Sequence, residues 1–300
     1  MKKLLLIVNP RAGKNKSLGP LYDAIARLCE GGYLIHVFQT KGSGDATRAA
    51  REMGPNFDTV VCYGGDGTLN ETISGLMQLE QKPPLGYLPA GSTNDFAATL
   101  HIPAVPYMAA GIIVNGAPMA LDVGRHNARY FSYVASFGAF TRASYSAPQE
   151  TKNALGHFAY ILEGIKNLDS LRPYHCRVTV EEEVMEDDFI FGSVCNSTSL
   201  AGLVKLDPKR VRMDDGEFEL VLLRMPRTAL DLTSLLVALN QMQYDHPGII
   251  FRHASRVKVE TEDDIAWSLD GEYAPSSPVV EIVNCHGAID LLVEKTEENQ

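Results

Sequence analysis

The run Val60-Val61-Cys62-Tyr63-Gly64-Gly65-Asp66-Gly67-Thr68-Leu69-Asn70-Glu71 constrains this chain more than any other. An apolar strand pattern feeds a glycine turn, and the turn opens a helical pattern. Glycines let backbone N–H groups come close to an anion, and the helix start adds unpaired N–H groups and a positive dipole end. Asp66 sits inside the turn, where a carboxylate repels phosphate unless a divalent cation intervenes, so it reads as a direct or indirect Mg²⁺ ligand. The competing reading is a tight turn in which the aspartate stabilises its own backbone.

The first part of the chain repeats this punctuation. Residues 4–8 form a short apolar run that stops at Asn9-Pro10, the pattern of a buried parallel strand. Leu18, Leu21, Ile25 and Leu28 then recur at helical spacing until Gly31-Gly32. Strands are expected over 33–38, 57–62 and 85–88, and helices over 45–53 and 69–79. Alternation at this spacing predicts a mostly parallel sheet covered on both faces. A second loop, Pro89-Ala90-Gly91-Ser92-Thr93-Asn94-Asp95-Phe96, offers a glycine, two hydroxyls and an amide at a helix start, which suits phosphate or ribose. Its plainer reading is an N-cap by Ser92 or Thr93 with Asp95 in the first turn. Asn9-Pro10-Arg11-Ala12-Gly13-Lys14 gives a third turn with a cation, and Thr40-Lys41-Gly42-Ser43-Gly44 a fourth. Open α/β sheets place ligands at such strand ends. The chain has neither a G-x-G-x-x-G opening its first helix nor a Walker A pattern, which disfavours a Rossmann dehydrogenase or a P-loop enzyme.

From about residue 120 the pattern changes to short β-branched or aromatic runs at 130–137, 175–181, 189–195, 218–223, 256–260 and 279–284. Only 154–168 and 229–242 read as long helices, so this half is expected to be mainly antiparallel β, a sandwich. The organisation expected is an α/β nucleotide-binding domain over 1–120, a β-rich substrate domain over 121–290, and a tail over 291–300 that packs back on the first. Glu181-Glu182-Glu183 and Glu186-Asp187-Asp188 read as a solvated hairpin end. His126, His157, His246 and His286 lack metal-ligand spacing and read as surface or hydrogen-bonded histidines. A formal charge of -10 disfavours binding to long nucleic acid. Five widely spaced cysteines, mostly set in apolar strand-like runs, read as buried free thiols of a reducing compartment. No apolar run approaches a signal-peptide core or a bilayer span, so a cytoplasmic protein with at most peripheral membrane contact is expected. Arg125, Arg129 and Arg142 are too sparse to make a membrane patch.

Asn9 to Gly13, Gly64 to Glu71, Pro89 to Ala97, Met213-Asp214-Asp215-Gly216-Glu217 and Leu269-Asp270-Gly271-Glu272 occur in one order across nearly the whole chain. In this the sequence resembles the diacylglycerol kinase catalytic domain family of lipid kinases, in its soluble bacterial members, relatives of NAD kinases and sphingosine kinases. The GGDGT run is shared with NAD kinases, whereas the second loop and the two late runs point to the lipid branch. The resemblance implies an α/β domain, a β-rich domain and a cleft between them. It implies ATP held by Asn9, Pro10, Arg11, Ala12, Gly13, Thr40, Gly65, Asp66, Gly67, Thr68, Leu69, Asn70, Glu71 and Thr93, with Gly64, Gly91, Ser92 and Asn94 completing the two glycine turns. It implies a structural Mg²⁺ on the Asp215 carboxylate and the backbone carbonyls of Arg212 and Glu217. Glu272 falls at the proton-acceptor position, with Asp270 beside it and Asp66 completing an acidic network. Residues 131–140 and 152–168 match the region that lines the lipid cleft, although each aromatic there reads singly as core. Peripheral membrane contact and a homodimer are further implications, and no stretch of the chain names an interface.

The expected activity is transfer of the γ-phosphate of ATP, with Mg²⁺, to the hydroxyl of diacylglycerol or a similar lipid, giving phosphatidate. The alternatives are a kinase of NAD or another small hydroxyl substrate, and a non-catalytic nucleotide-binding regulator. Intact Asp66, Asp270 and Glu272 argue against the last. Taken alone, Asp214-Asp215-Gly216 reads equally well as a solvated turn, and Asp270 and Glu272, two apart, either share a strand face or converge across a turn.

Overall fold

Leu4, Leu5, Leu6 and Ile7 are fully buried at successive positions of β1 (Lys2–Val8), which requires a strand covered on both faces. The computed structural model describes residues 1–13, 19–92, 94–138, 171–200 and 204–295. The expected helix at 154–168, with Lys14, Leu18, Thr93, Arg142, His157, residues 139–140, all of 152–168 and the last five residues of the expected tail, lies outside the described residues. Two units divide the chain, Met1–Val123 with His286–Gln300, and Gly124–Cys285.

In the first unit β1 is followed by α1 (Gly19–Glu30), β2 (Tyr33–Gln39), α2 (Asp45–Met53), β3 (Thr59–Gly64), α3 (Asp66–Leu76), β4 (Leu85–Pro89), α4 (Asp95–Thr99), α5 (Pro106–Asn115) and β5 (Ala117–His126). β1 pairs in parallel with β2 on one side and β3 on the other, and β3 pairs in parallel with β4. Leu291 of the last strand (Val279–Val293) pairs in parallel with Leu85 and closes the far side. The chain leaves β1 in one direction to make β2 and returns past it to make β3, so the switch point lies at the C-terminal ends of β1 and β3. Because β1, β2, β3 and β4 run the same way, the turns that follow them gather along one edge of the sheet. α1 packs with α5 and α2 with α3. Burying each of the four successive apolar side chains of β1 contributes about 1.5–3 kcal/mol.

The second unit is mainly antiparallel β, with β6 (Arg129–Phe131), β7 (Val134–Gly138), β8 (Tyr174–Val180), β9 (Glu183–Cys195), β10 (Ser199–Leu200), β11 (Val204–Lys205), β12 (Phe218–Arg224), α6 (Ala229–Asn240), β13 (Ile249–Ala254), β14 (Arg256–Glu260), β15 (Trp267–Leu269), β16 (Glu272–Ala274) and β17 (Val279–Val293). The first part of β9 pairs with β8, and its last five residues pair with both β7 and β12. Its core gathers Phe131, Phe137, Phe189, Phe218 and Trp267. α6 starts where Thr228 Oγ1 accepts from Asp231 N (3.1 Å) and Asp231 Oδ2 accepts from Thr228 N (2.9 Å), a capping box.

Four expectations need correction. The strand expected over 130–137 is two strands, interrupted at Ser132-Tyr133, whose amides turn to a distant carboxylate described below. α3 begins at Asp66 rather than Leu69, because Gly65 is extended and ends β3 abruptly (φ -92°, ψ -177°). Cys62, Cys176 and Cys195 are buried free thiols, but Cys29 is exposed. His126 is neither on the surface nor hydrogen-bonded at Nε2; it is buried, its ring 4.9 Å from that of Trp267.

Burial pushes the His126 imidazole down to about 4. A histidine kept neutral in the fold but free to protonate in the unfolded chain favours unfolding as pH falls from its ordinary 6.5 towards about 4. Acidification across that window is therefore expected to remove roughly 3 kcal/mol, and His126→Phe to flatten this part of the profile. Trp267, the single tryptophan, reports the transition by fluorescence in urea titrations at each pH.

Candidate functional site

Three turns of the first unit pack against one another. Asn9 Nδ2 donates to Thr68 Oγ1 (2.9 Å), and Asn9 Oδ1 accepts from Arg11 N (2.9 Å), which ties the turn after β1 to the first turn of α3. A Cβ on Gly91 would lie 2.6 Å from the Gly65 Cα, so the turns after β3 and β4 approach only because both residues are glycine. The absent side chains thus serve loop-to-loop packing first. Gly13 abuts the Ala90 carbonyl in the same way. Asn94, in left-handed conformation (φ 53°), closes the second turn through its own side chain: Oδ1 accepts from Gly91 N (2.8 Å) and Nδ2 donates to the Gly91 carbonyl (3.0 Å). Asn94, not Ser92 or Thr93, is the residue before α4, and it makes no side-chain cap bond.

Asp66 is the first residue of α3, not a member of a free loop. Its Oδ2 accepts from Asp95 N (3.1 Å), while Oδ1 is buried without a hydrogen-bond partner. Burial, and after it the Asp95 charge, pushes this carboxyl up to about 6. A buried carboxylate oxygen with no donor, at a helix start where the first amides have no intrahelical acceptors, fits a divalent cation that also holds phosphate oxygens. Arg11, Pro10 and Ser92 are exposed around these turns, and Gly64, Thr68, Leu69 and Asn70 are buried. Leu69, fully buried, belongs to the core.

The turn after β2 is different. Glu71 Oε1 accepts from Ser43 Oγ (3.1 Å) and Gly44 N (2.8 Å), Oε2 accepts from Ala46 N (3.2 Å), and its carbonyl accepts from Thr47 Oγ1 (2.9 Å). Asp45 Oδ2 accepts from Lys41 N (2.8 Å) and Gly42 N (3.2 Å), and the Lys41 amide leads in holding Asp45 below the usual carboxylate range. Thr40 gives both N–H and hydroxyl to the Val8 carbonyl. The Lys41, Gly42 and Gly44 amides of this turn are committed to protein carboxylates, and Glu71 acts as the missing cap of α2, whose preceding residue, Gly44, carries no side chain. Glu71→Gln is expected to cost about 1–2 kcal/mol and to speed amide exchange at Gly44 and Ala46, measured by hydrogen exchange with mass spectrometry.

In the second unit Asp270 and Gly271 are the two-residue turn between β15 and β16, both at positive φ (50° and 85°), as an Asp-Gly hairpin turn requires. The Asp270 carboxylate is buried. It accepts from Ser132 N (2.5 Å), Tyr133 N (3.0 Å) and Val134 N (2.9 Å), which is what separates β6 from β7. Glu272, two residues on, is about half exposed and ion-pairs with Arg129 at 3.6 Å, while Arg129 Nη1 donates to the Tyr273 carbonyl (2.8 Å). The turn sends the two carboxylates to different neighbours.

At Met213 to Glu217, Asp215 is exposed and its Oδ1 accepts from Glu217 N (3.1 Å), leaving Oδ2; the Arg212 side chain turns to Asp214 (3.4 Å). A carboxylate oxygen with the Arg212 and Glu217 carbonyls is an all-oxygen donor set of the kind Mg²⁺ takes. Among the described residues no three His, Cys, Asp or Glu side chains cluster as a metal site. Beside this turn Glu219 is buried with Oε2 unpartnered, and burial pushes its carboxyl up to about 9. The sequence signal for Glu219 is that it is the one charge in the otherwise apolar run 218–223. Among the described residues no helix is long and apolar enough to cross a membrane.

Comparison with known proteins adds to this geometry. Residues 3–126 match the family described as the diacylglycerol kinase catalytic domain, and 134–293 match the YegS C-terminal NAD kinase beta sandwich-like domain. The chain is 33% identical over 302 aligned residues to a diacylglycerol kinase of Bacillus subtilis (strain 168), covering 100% of this chain and 99% of the relative. It is 31% identical over 301 to a diacylglycerol kinase of Staphylococcus aureus (strain MRSA252), covering 100% and 95%. A solved structure from Bacillus anthracis str. Sterne superposes with TM-score 0.82 at 27% identity over 98% of this chain and 97% of that one. Another, of a diacylglycerol kinase from the same organism, shares the fold with TM-score 0.74 at 23% identity, covering 100% and 98%.

Proposed function

Because this chain belongs to the diacylglycerol kinase catalytic domain family, we propose that it transfers the γ-phosphate of ATP to the hydroxyl of diacylglycerol or a closely similar lipid, giving phosphatidate. The observation that carries the reading is Asp66, whose buried, unpartnered Oδ1 stands at the start of α3 beside the glycine turns. When bound there, Mg²⁺ supplies positive charge for the phosphoryl oxygens. The start of α3 orients the nucleotide phosphates through its N–H groups, while Asn9 and Thr68 fix the approach of the neighbouring turn. Glu272 takes the proton of the attacking hydroxyl, and Arg129 holds its carboxylate in place. Asp270 is a positioning residue, committed to the backbone on either side of Tyr133. The Asp215 turn would hold a second, structural Mg²⁺.

The test is phosphate transfer from labelled ATP in mixed micelles containing diacylglycerol, with NAD and glycerol as competing acceptors and Mg²⁺ varied. Labelled phosphatidate that disappears without Mg²⁺ is expected. Label on NAD instead would move the chain to a small-hydroxyl kinase, and no labelled product with any acceptor would count against catalysis.

A further inference from the structure

We infer that Tyr87 is a positioning residue for the nucleotide, its hydroxyl tying the turn after β3 to the turn after β4. The inference rests on the ATP reading above and concerns a residue which that reading does not use. Tyr87 interrupts an otherwise aliphatic strand and is 1% exposed. Its ring meets Phe96 edge-on, with centroids 6.1 Å apart, and this fixes where Oη lies. Oη is 3.3 Å from the Gly64 carbonyl and 3.5 Å from Asn94 Oδ1. Both distances are long for an O–H···O bond, as expected when one proton serves several acceptors.

Those acceptors are already the joints of the two turns. Gly64 O accepts from Ala90 N (2.7 Å), and Asn94 Oδ1 accepts from Gly91 N (2.8 Å). Adding Tyr87 closes a ring that runs from the end of β3 through Ala90, Gly91 and Asn94 back to Gly64. Burial, and after it the Asp66 charge, pushes the phenol above its ordinary range. Both acceptors of the hydroxyl, the Gly64 carbonyl and Asn94 Oδ1, belong to turns assigned to ATP.

Tyr87→Phe keeps the ring and removes only this link. It is expected to raise KM for ATP about tenfold, while kcat at saturating ATP and KM for the lipid stay within about twofold. Two readouts are independent of turnover: calorimetric binding of ATP with Mg²⁺ should weaken by the same factor, and amide exchange at Ala90 and Gly91 should quicken while β8 and β9 stay protected. Unchanged ATP affinity and unchanged exchange overturn the inference. So does a variant in which kcat falls with the folded fraction while KM for ATP stays fixed, since that is a purely structural role. Asn94→Ala gives a second route that does not depend on the folding of Tyr87→Phe. It should produce the same ATP-specific loss, and Tyr87→Phe should add less in that background than alone; full additivity overturns the link. A wild-type protein that binds ATP but phosphorylates no lipid sinks the acceptor assignment, and calorimetry and exchange still decide the role of Tyr87.

Discussion

Asp66→Asn is expected to abolish turnover and stabilise the protein at the same time. Loss of the carboxylate should lower kcat by about 10³-fold or more, because nothing else in the first turn of α3 offers a buried anionic oxygen to a cation. The stability effect has the opposite sign. Burial and the Asp95 charge hold the folded-state carboxyl up at about 6, against an ordinary 3.8. The folded protein thus binds a proton that the unfolded chain releases, so this contribution is intact below about 3.8 and is lost as pH rises through about 6. At pH 8 in metal-free buffer the ionised aspartate costs roughly 2 kcal/mol, and the asparagine, able to keep the bond from Asp95 N, recovers most of it. Thermal unfolding of both proteins at pH 5 and pH 8, with and without Mg²⁺, checks this. The gain should be largest at pH 8 and about half as large at pH 5, and Mg²⁺ should stabilise the wild type more than the variant. Equal stabilities at pH 8 would remove the electrostatic strain assigned to Asp66.

Asp270→Ala and Glu272→Gln should separate structure from chemistry within one hairpin. Removing Asp270 leaves the amides of Ser132, Tyr133 and Val134 without their charged acceptor, in a buried setting, at an expected cost of about 3–5 kcal/mol. Denaturant unfolding should show this as a fall in midpoint. Glu272→Gln weakens a half-exposed pair with Arg129, so its midpoint should move little. Its kcat should fall about 10²–10⁴-fold if Glu272 receives the proton. A Glu272→Gln enzyme with undiminished kcat would transfer that role elsewhere.

Features set by neighbours in sequence were legible before any coordinates. The helix at 45–53 and the strand at 256–260 have the expected bounds, and the strand–glycine turn–helix order at 59–76 follows from apolar runs and glycines. α5 escaped notice because Pro-Tyr-Met-Ala-Ala-Gly-Ile-Ile-Val-Asn is apolar on every side and gives no helical stripe. Long-range polar bonds were also invisible. The break between β6 and β7 is made by a carboxylate 138 residues from Ser132, and the cap of α2 comes from Glu71, which the local pattern assigns to a phosphate turn. The site followed the same division. Turn positions could be read from glycines, but the orphaned oxygen of Asp66, the tie from Asn9 to Thr68 and the hydroxyl of Tyr87 arise only when separate strand ends meet.

The first unit takes its last sheet partner from residues 286–293, where Ile289, Leu291 and Val293 are buried and Leu291 pairs with Leu85. On a nascent chain, β4 therefore emerges long before that partner exists, and the whole of residues 124–285 must be made in between. At about 5–20 residues per second the wait is on the order of ten seconds or more. For that time an apolar strand, Leu-Gly-Tyr-Leu-Pro, stands open along one side. The unit made first is thus completed last, and a ribosome that stalls before residue 286 releases a polypeptide whose nucleotide half carries an unsealed, adhesive edge.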